Sequence, residues 1–359
     1  MDYTIYGTVV VCDRVITDGA VCVKDNKIVY SGKRENAPVV GCVTDYGDSL
    51  IVPGFIDIHC HAGGEKWFYE DPAFCADYHL AHGTTSMCAT LYRDLTIDET
   101  VEAIAKVRAA MKDCKNIIGV HLEGPYLNPK YGSMLIDGEV TAEADEYMRL
   151  FEDDTVVHVS FAPEVKGTDG LLKVLCEKGI VPAIGHSMAS YRQVAAAVKG
   201  GVKNVTHLFD ATGASISPTR WDGTIEVDFN CAALLCDGLC YEIICDKDGV
   251  HVRPEMLRLA VKTVGIDNMI GITDACTGSD DDSDINIVNG ELTGSKLTMN
   301  KVFRNFVNAG FSMTDAVKFT SANAARLMGL FDRGSLERGK IADIVVMDCD
   351  YNTVKVYKS

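Results

Sequence analysis

Hydrophobic and polar positions change their rhythm twice along this chain of 359 residues. Residues 3 to 52 are rich in Val, Ile, Tyr and Thr, with polar breaks at Asp25-Asn26 and Ser31-Gly32, a pattern that predicts short β-strands. The closing "ADIVVMDCDYNTVKVY" has the same character and predicts two more strands around a turn. The two chain ends are therefore expected to meet in one small β-sandwich domain, residues 1–52 plus 335–359. In residues 53–334 apolar runs alternate with helical stretches. The strand candidates are "IVPGFIDIH", "TTSMCAT", "IIGVHLE", "VVHVSFAPE", "IVPAIGH", "VKNVTH", "YEIICD" and "MIGITD". Helices are predicted for "TIDETVEAIAKVRAAMKD", "TDGLLKVLCEKG", "MASYRQVAAAVKGG", "RPEMLRLAVKTVG" and "MTDAVKFTSANAARLMG". Eight strands interleaved with helices predict an α/β fold, a parallel (β/α)8 barrel of the TIM type.

Composition narrows the function classes. Acidic residues outnumber basic ones 51 to 34, a net charge of −17, which argues against nucleic acid or an anionic membrane as partner. No apolar run reaches the ~18 residues of a spanning helix. The start "MDYTIYGTVVVCD" lacks the basic and apolar regions of an export signal, and a cytoplasmic location is expected. The 14 cysteines show no paired CxxC spacing; several, such as Cys12, Cys22 and Cys231, fall in apolar stretches and read as buried free thiols. The acidic "GSDDDSD" near residue 280 reads as a solvated loop.

In a barrel of this type, reacting side chains come from the C-terminal ends of the strands. His59 and His61 end the first run, Glu123 the third, His186 the fifth, His207 the sixth and Asp274 the last. A single histidine at a strand end is more often a hydrogen-bonded structural residue; four histidines and two carboxylates on one rim are not. His59 and His61, two apart on a strand, face the same way, with Cys60 pointing outward. Imidazoles with carboxylates are a ligand set for a divalent metal, zinc first, with iron or manganese also suited. A metal with an open coordination position brings the pKa of water down to about 7. A free carboxylate near that water, here Asp274, can relay its proton to a leaving group. His79, His82 and His158 read as structural, and His121 as a packing or supporting residue.

The motifs "PGFIDIHCH", "HLEGPYLNP", "GHS", "THLFDA", "DGVHV" and "GITDA" occur in the order seen in the amidohydrolase superfamily. Together with "GSKLTMNKVFRNFV", "SANAARLMGL" and "GSLERGKIADIVVMD" they resemble the N-acetylglucosamine-6-phosphate deacetylases over essentially the whole chain. The resemblance implies that Glu123, His186 and His207 hold the principal metal. It also implies that His59, His61 and the bridging Glu123 match members with a second one, so one or two metals per chain. Asp274 would be the general acid/base and a member of the metal set. His251 would contact the substrate and polarise the amide carbonyl. A small-molecule substrate and a homodimer are implied as well. The reaction implied is hydrolysis of an N-acetyl group to acetate and an amino sugar.

Two stretches depart from the family pattern. "KYGSM" places Met134 where the family has a sugar-contacting histidine. "THLFDAT" places Asp210 and Ala211 where the family's Asn-Ala cradles a phosphate, and Arg220 is the basic residue offered nearby. The leading expectation is N-acetylglucosamine 6-phosphate; an unphosphorylated or different N-acyl substrate stays open, and a non-enzymatic barrel scaffold is the minor alternative.

Overall fold

The computed structural model describes residues 2–132, 138–213, 221, 223–278 and 282–359. Eight strands form one parallel sheet in chain order: Phe55–Cys60, Thr84–Tyr92, Ile117–Glu123, Val156–Phe161, Val181–Ile184, Asn204–Val205, Cys240–Ile244 and Met269–Ile272. Just past the eighth strand, the Asp274 N–H donates to the His59 carbonyl at 2.9 Å. One layer deeper the Thr273 hydroxyl donates to the Asp57 carboxylate at 2.6 Å. These bonds close the last strand onto the first, as the (β/α)8 barrel requires. The first strand is buried along its whole length, as expected where helices cover a parallel sheet.

Four of the anticipated helices are Ile97–Ala110, Thr168–Lys178, Tyr191–Gly200 and Pro254–Val264. The first starts on a reciprocal Thr96–Glu99 capping box, and the second stops at Gly179 in a left-handed conformation, φ 72°. The fifth runs Met313–Leu327 and widens into a π-turn at Lys318–Ala322. Among the described residues, four helices escaped the periodicity reading: Pro72–Ala81, Ala144–Leu150, Phe229–Leu234 and Met299–Asn308. The first nevertheless carries a clear start signal, Asp71 capping the Phe74 N–H with Pro72 following.

The two chain ends share a six-stranded sheet, in the order Thr353–Tyr357, Ile344–Met347, Cys42–Pro53, Tyr3–Val10, Val15–Lys24 and Lys27–Lys33. It has its own core, built on Ile5, Val9, Val21, Ile28, Ile51 and Ile344. The run "IVPGFIDIH", expected as one strand, divides at Gly54: residues up to Pro53 belong to this sheet and those from Phe55 to the barrel. Here the backbone passes so close to its neighbour that a Cβ on Gly54 would lie 2.1 Å from Thr85 Oγ1.

Two further expectations need correction. The acidic stretch near residue 280 is not wholly solvated, because Asp284 is buried and accepts from the Lys247 N–H at 2.8 Å and from Asn305 Nδ2 at 2.7 Å. It leads into a hairpin, Ile285–Val288 with Glu291–Ser295, turned by Asn289-Gly290 with φ 54° and 86°. All the cysteines are free, but Cys231 is exposed on the helix Phe229–Leu234 rather than buried in a strand. Among the described residues, no helix is long and apolar enough to cross a membrane.

His79 and His82 are structural contacts, as anticipated. His82 Nδ1 donates to the Tyr78 carbonyl at 2.8 Å. His79 is buried and donates Nε2–H to the Ala62 carbonyl at 2.8 Å, fastening the turn after the first barrel strand. Burial pushes its pKa down to about 4. The unfolded chain thus binds a proton at His79 below its ordinary 6.5, whereas the folded chain resists until about 4. Stability is therefore lost as pH falls through that window, by up to about 1.4 kcal/mol per pH unit for one proton. Urea unfolding between about pH 7 and about pH 5 is expected to show a slope shallower by about one proton in His79→Gln than in the wild type; equal slopes would contradict this.

Candidate active site

The strand-end residues converge at the C-terminal mouth of the barrel. His59 Nε2 and His61 Nε2 lie 3.3 Å apart, and Asp274 Oδ1 is 3.4 Å from the first and 3.2 Å from the second. Glu123 Oε1 meets His186 Nε2 at 2.9 Å and His207 Nε2 at 2.8 Å. Its other oxygen, Oε2, turns to His61 Nε2 at 3.1 Å and His59 Nε2 at 3.6 Å. The structure therefore forms two clusters, His59/His61/Asp274 and Glu123/His186/His207, each with its ligand atoms within 4.8 Å of one another. One carboxylate faces both.

Local structure explains how short strands deliver these side chains. The sixth strand is only Asn204–Val205, and the chain then departs through left-handed conformations at His207, Phe209 and Ala211 (φ 23°, 73° and 46°). Asp274 is left-handed too, φ 48°. Such values are uncommon outside glycine and collect where a site dictates the backbone. Neighbouring loops are tied together by groups that sequence reasoning did not single out. Glu164 accepts from Ser187 Oγ (2.6 Å), the Met188 N–H (2.8 Å) and Asn128 Nδ2 (2.8 Å), joining the loop after Glu123 to the one after His186. Arg93 donates to the carbonyls of Asn128 (2.9 Å) and Tyr131 (2.5 Å). Glu242, in the seventh strand, accepts from His59 Nδ1 at 2.9 Å.

Charge and tautomer decide what the clusters can hold. Burial pushes the Glu123 carboxyl up, yet the His59 and His186 rings outweigh it and hold the group well below the usual carboxylate range. Asp274 shows the same balance against His59 and His61 and is lowered. Burial pulls the His207 ring down, but its bond to Glu123 wins and brings it up to about 9. His59 and His61 are likewise raised by Glu123 and Asp274 against burial. Positive charge is thus demanded between rings and carboxylates. His59 Nδ1 donates to Glu242 and His186 Nδ1 to the Ala211 carbonyl at 3.1 Å, so in the neutral rings each Nε2 turns a lone pair toward carboxylate oxygen. Lone pairs facing carboxylates fit a divalent cation in each cluster, and the donor types suit zinc, iron or manganese.

The clusters floor a cavity of 530 Å³ whose wall includes Trp67, Tyr92, Lys130, Asp210, His251 and the hairpin residue Leu292. His251, buried, donates Nδ1–H to Asp210 Oδ2 at 3.0 Å, and its Nε2 has no partner. Ala211 also lines the cavity, beside the His186 ring. Met134 and Arg220, the other two expected substrate contacts, lie outside the described residues. Cys276 lines the wall, where burial pushes its thiol well up and away from nucleophilic character. His121 supports the site from below: its Nε2 meets Ser160 Oγ at 2.8 Å, and its ring stands against His59 with centroids 4.6 Å apart.

A (β/α)8 barrel with imidazoles and carboxylates gathered at its C-terminal mouth defines a class, the metal-dependent hydrolase barrels. The amidohydrolase family model matches residues 50–359, and the chain belongs to that family. It is 29% identical to the N-acetylglucosamine-6-phosphate deacetylase of Bacillus subtilis (strain 168), covering 95% of this chain and 92% of that one. It is 28% identical to the N-acetylgalactosamine-6-phosphate deacetylase of Shewanella sp. (strain ANA-3), covering 86% and 81%. Among solved structures, a Mycobacterium smegmatis N-acetyl-D-glucosamine-6-phosphate deacetylase variant in complex with N-acetyl-D-glucosamine-6-phosphate superposes with a TM-score of 0.86. That match has 27% identity and covers 99% of this chain and 98% of that one.

Adding zinc or manganese to metal-stripped protein is expected to raise its thermal stability, by about 2.7 kcal/mol at a hundredfold excess over Kd. Glu123→Gln, which removes the charge shared by both clusters, is expected to lose most of that gain. A full metal-induced shift of Tm in the variant would take Glu123 out of the cation site.

Proposed function

We propose that this chain hydrolyses the acetyl amide of an N-acetylated amino sugar phosphate, with N-acetylglucosamine 6-phosphate the first candidate, releasing acetate and glucosamine 6-phosphate. The observation that carries the reading is the pair of clusters sharing Glu123, with Asp274 on the wall of a substrate-sized cavity. Near full-length similarity to deacetylases of acetylated amino sugar phosphates supports the substrate class.

In this reading Glu123, His186 and His207 hold one divalent cation, and His59, His61 and Asp274 a second, with zinc the first candidate. When bound, such a cation polarises the amide carbonyl and acidifies water. The chain's own residues do the rest. Asp274 takes a proton from the attacking water as its oxygen adds to the acyl carbon. It returns that proton to the nitrogen as the C–N bond breaks, so that the amine leaves neutral. Its Oδ1, 3.2 Å from His61 Nε2, is placed at the cluster rather than out in solvent. His251 lines the cavity with its Nε2 unpartnered, and in this reading that atom meets the acyl oxygen while Asp210 holds the ring through Nδ1. Ala211 and Arg220 are assigned to the substrate's far end, with Met134 replacing a polar sugar contact. A cytoplasmic homodimer completes the proposal.

A second reading, an unphosphorylated N-acyl substrate, is favoured by one observation: Asp94, Asp210 and Glu291 line the cavity, where Lys130 is the only Lys or Arg among the described lining residues. Acetate release from N-acetylglucosamine 6-phosphate, N-acetylgalactosamine 6-phosphate and unphosphorylated N-acetylglucosamine separates the two. The phosphorylated sugars are expected to give the higher kcat/KM; preference for the unphosphorylated sugar would reverse the assignment, and no acetate from any of them would end it. Asp274→Asn is expected to lower kcat by about 10²–10⁴-fold with little change in KM. Full activity in that variant would contradict the proton relay.

A further inference from the structure

Beneath the rim, the barrel is filled with polar side chains rather than branched apolar ones. Glu242 is at their centre, fully buried in the seventh strand. Its Oε2 accepts from His59 Nδ1 at 2.9 Å and from the His207 N–H at 3.4 Å. Its Oε1 accepts from Asn204 Nδ2 at 2.5 Å, with His158 Nε2 3.8 Å away. Among the described residues its ion-pair partners are His59 and His158; no Lys or Arg pairs with it. A buried carboxylate without a Lys or Arg partner is costly unless positive charge reaches it another way. Here the connection to the site runs through one imidazole.

We propose that Glu242 is a positioning residue that fixes the tautomer of His59 and so creates the cation site of His59, His61 and Asp274. The proposal rests on the reading above that this cluster holds a cation. An ionised carboxylate can only accept, so His59 Nδ1 carries the proton and, in the neutral ring that binds a cation, Nε2 presents its lone pair to the cluster. A water molecule or a neutral hydroxyl would enforce no such choice, since either can donate as well as accept. The His207 N–H reaches the same carboxylate only at 3.4 Å, so the ring that Glu242 orients is that of His59, in the first cluster. The His59 ring also stands edge-on against His121, at 4.6 Å between centroids.

The test is cation binding rather than turnover. Metal-stripped wild type, Glu242→Met, Glu242→Gln and His59→Asn are titrated with zinc ion by calorimetry, and bound metal is counted by elemental analysis. Glu242→Met keeps the length but removes both acceptors. It is expected to weaken one of the two sites about 10–100-fold while leaving the other unchanged. Glu242→Gln is expected to restore most of the loss. Its amide oxygen can accept from His59 while its NH2 faces Asn204, whose Oδ1 has no partner and can turn to receive it. A merely structural role would lower Tm without this split between sites or its rescue. Wild-type affinity at both sites in Glu242→Met overturns the proposal. If His59→Asn binds as much zinc as the wild type, the assignment of the cluster itself fails, whatever Glu242 does. Should Glu242→Met not fold, histidine ¹⁵N NMR of the zinc-loaded wild type decides, with His59 assigned by its loss in His59→Asn. The Nδ1–H tautomer is expected; a ring protonated at Nε2 overturns the proposal.

Discussion

A carboxylate buried among four imidazoles sets the terms for this structure. Glu123 is 2% exposed, and its two oxygens face His186 and His207 on one side and His59 and His61 on the other. Removing such a charge from water costs several kcal/mol unless opposite charge is held close and in good geometry. The four rings come from the exits of the first, fifth and sixth strands, so the register of the barrel is bound to this one group. A shift of one residue in any of these strands would send its ring to the opposite face. The tying bonds around the rim follow from that demand: Glu164 between two loops, Arg93 on a third, and the Asp57–Thr273 bond where the barrel closes.

The same demand is visible in the backbone. His207, Phe209, Ala211 and Asp274 all adopt left-handed conformations, which cost on the order of 1–3 kcal/mol each in non-glycine residues. Hydrogen bonds offset the strain locally. The Phe209 N–H donates to Asn230 Oδ1 at 2.9 Å, the Leu208 N–H to the Glu242 carbonyl at 2.9 Å, and the Ala211 carbonyl receives His186 Nδ1. Strain at the mouth is thus borne by a barrel whose buried polar layer ties the strands together through Glu242, Asn204, Ser160 and Thr206.

The eight barrel strands and the six strand-end residues were legible in the sequence because both depend on local signals. Buried parallel strands are continuous apolar runs, and a polar residue where the run stops is conspicuous. Glu242 sits inside such a run, in "YEIICD", and nothing local distinguishes it from a misplaced surface residue. The available signal was its cost: a carboxylate in a central buried strand requires partners, which His59 and Asn204 prove to be. Asp284 was hidden by its acidic neighbours, since charge patterning cannot say which member of a run turns inward. The Asn289-Gly290 hairpin did carry a local signature, two residues suited to positive φ between short β-like runs. The boundary at Gly54 was not legible, because a strand leaving one sheet and entering another shows no break in hydrophobicity.

The position most at odds with the family pattern, Asp210, reads differently once its partner is known. A lone carboxylate 4 Å from a phosphate would oppose it by about 4 kcal/mol at an effective dielectric of 20. Asp210 is not alone, because its Oδ2 receives His251 Nδ1–H at 3.0 Å. Burial draws the His251 pKa down, but the bond to Asp210 outweighs it and the net shift is upward. The carboxylate therefore favours an imidazolium beside itself, and when that proton is held the pair carries no net charge. Set against a neutral amide next to a neutral ring, the exchange leaves the total unchanged while making Nε2 a stronger donor. Asp210 by that account is compatible with an anionic substrate, and under the proposed function it would equip His251 to polarise the acyl oxygen. Discrimination for or against a phosphate then falls on other cavity groups, such as Lys130 on the wall.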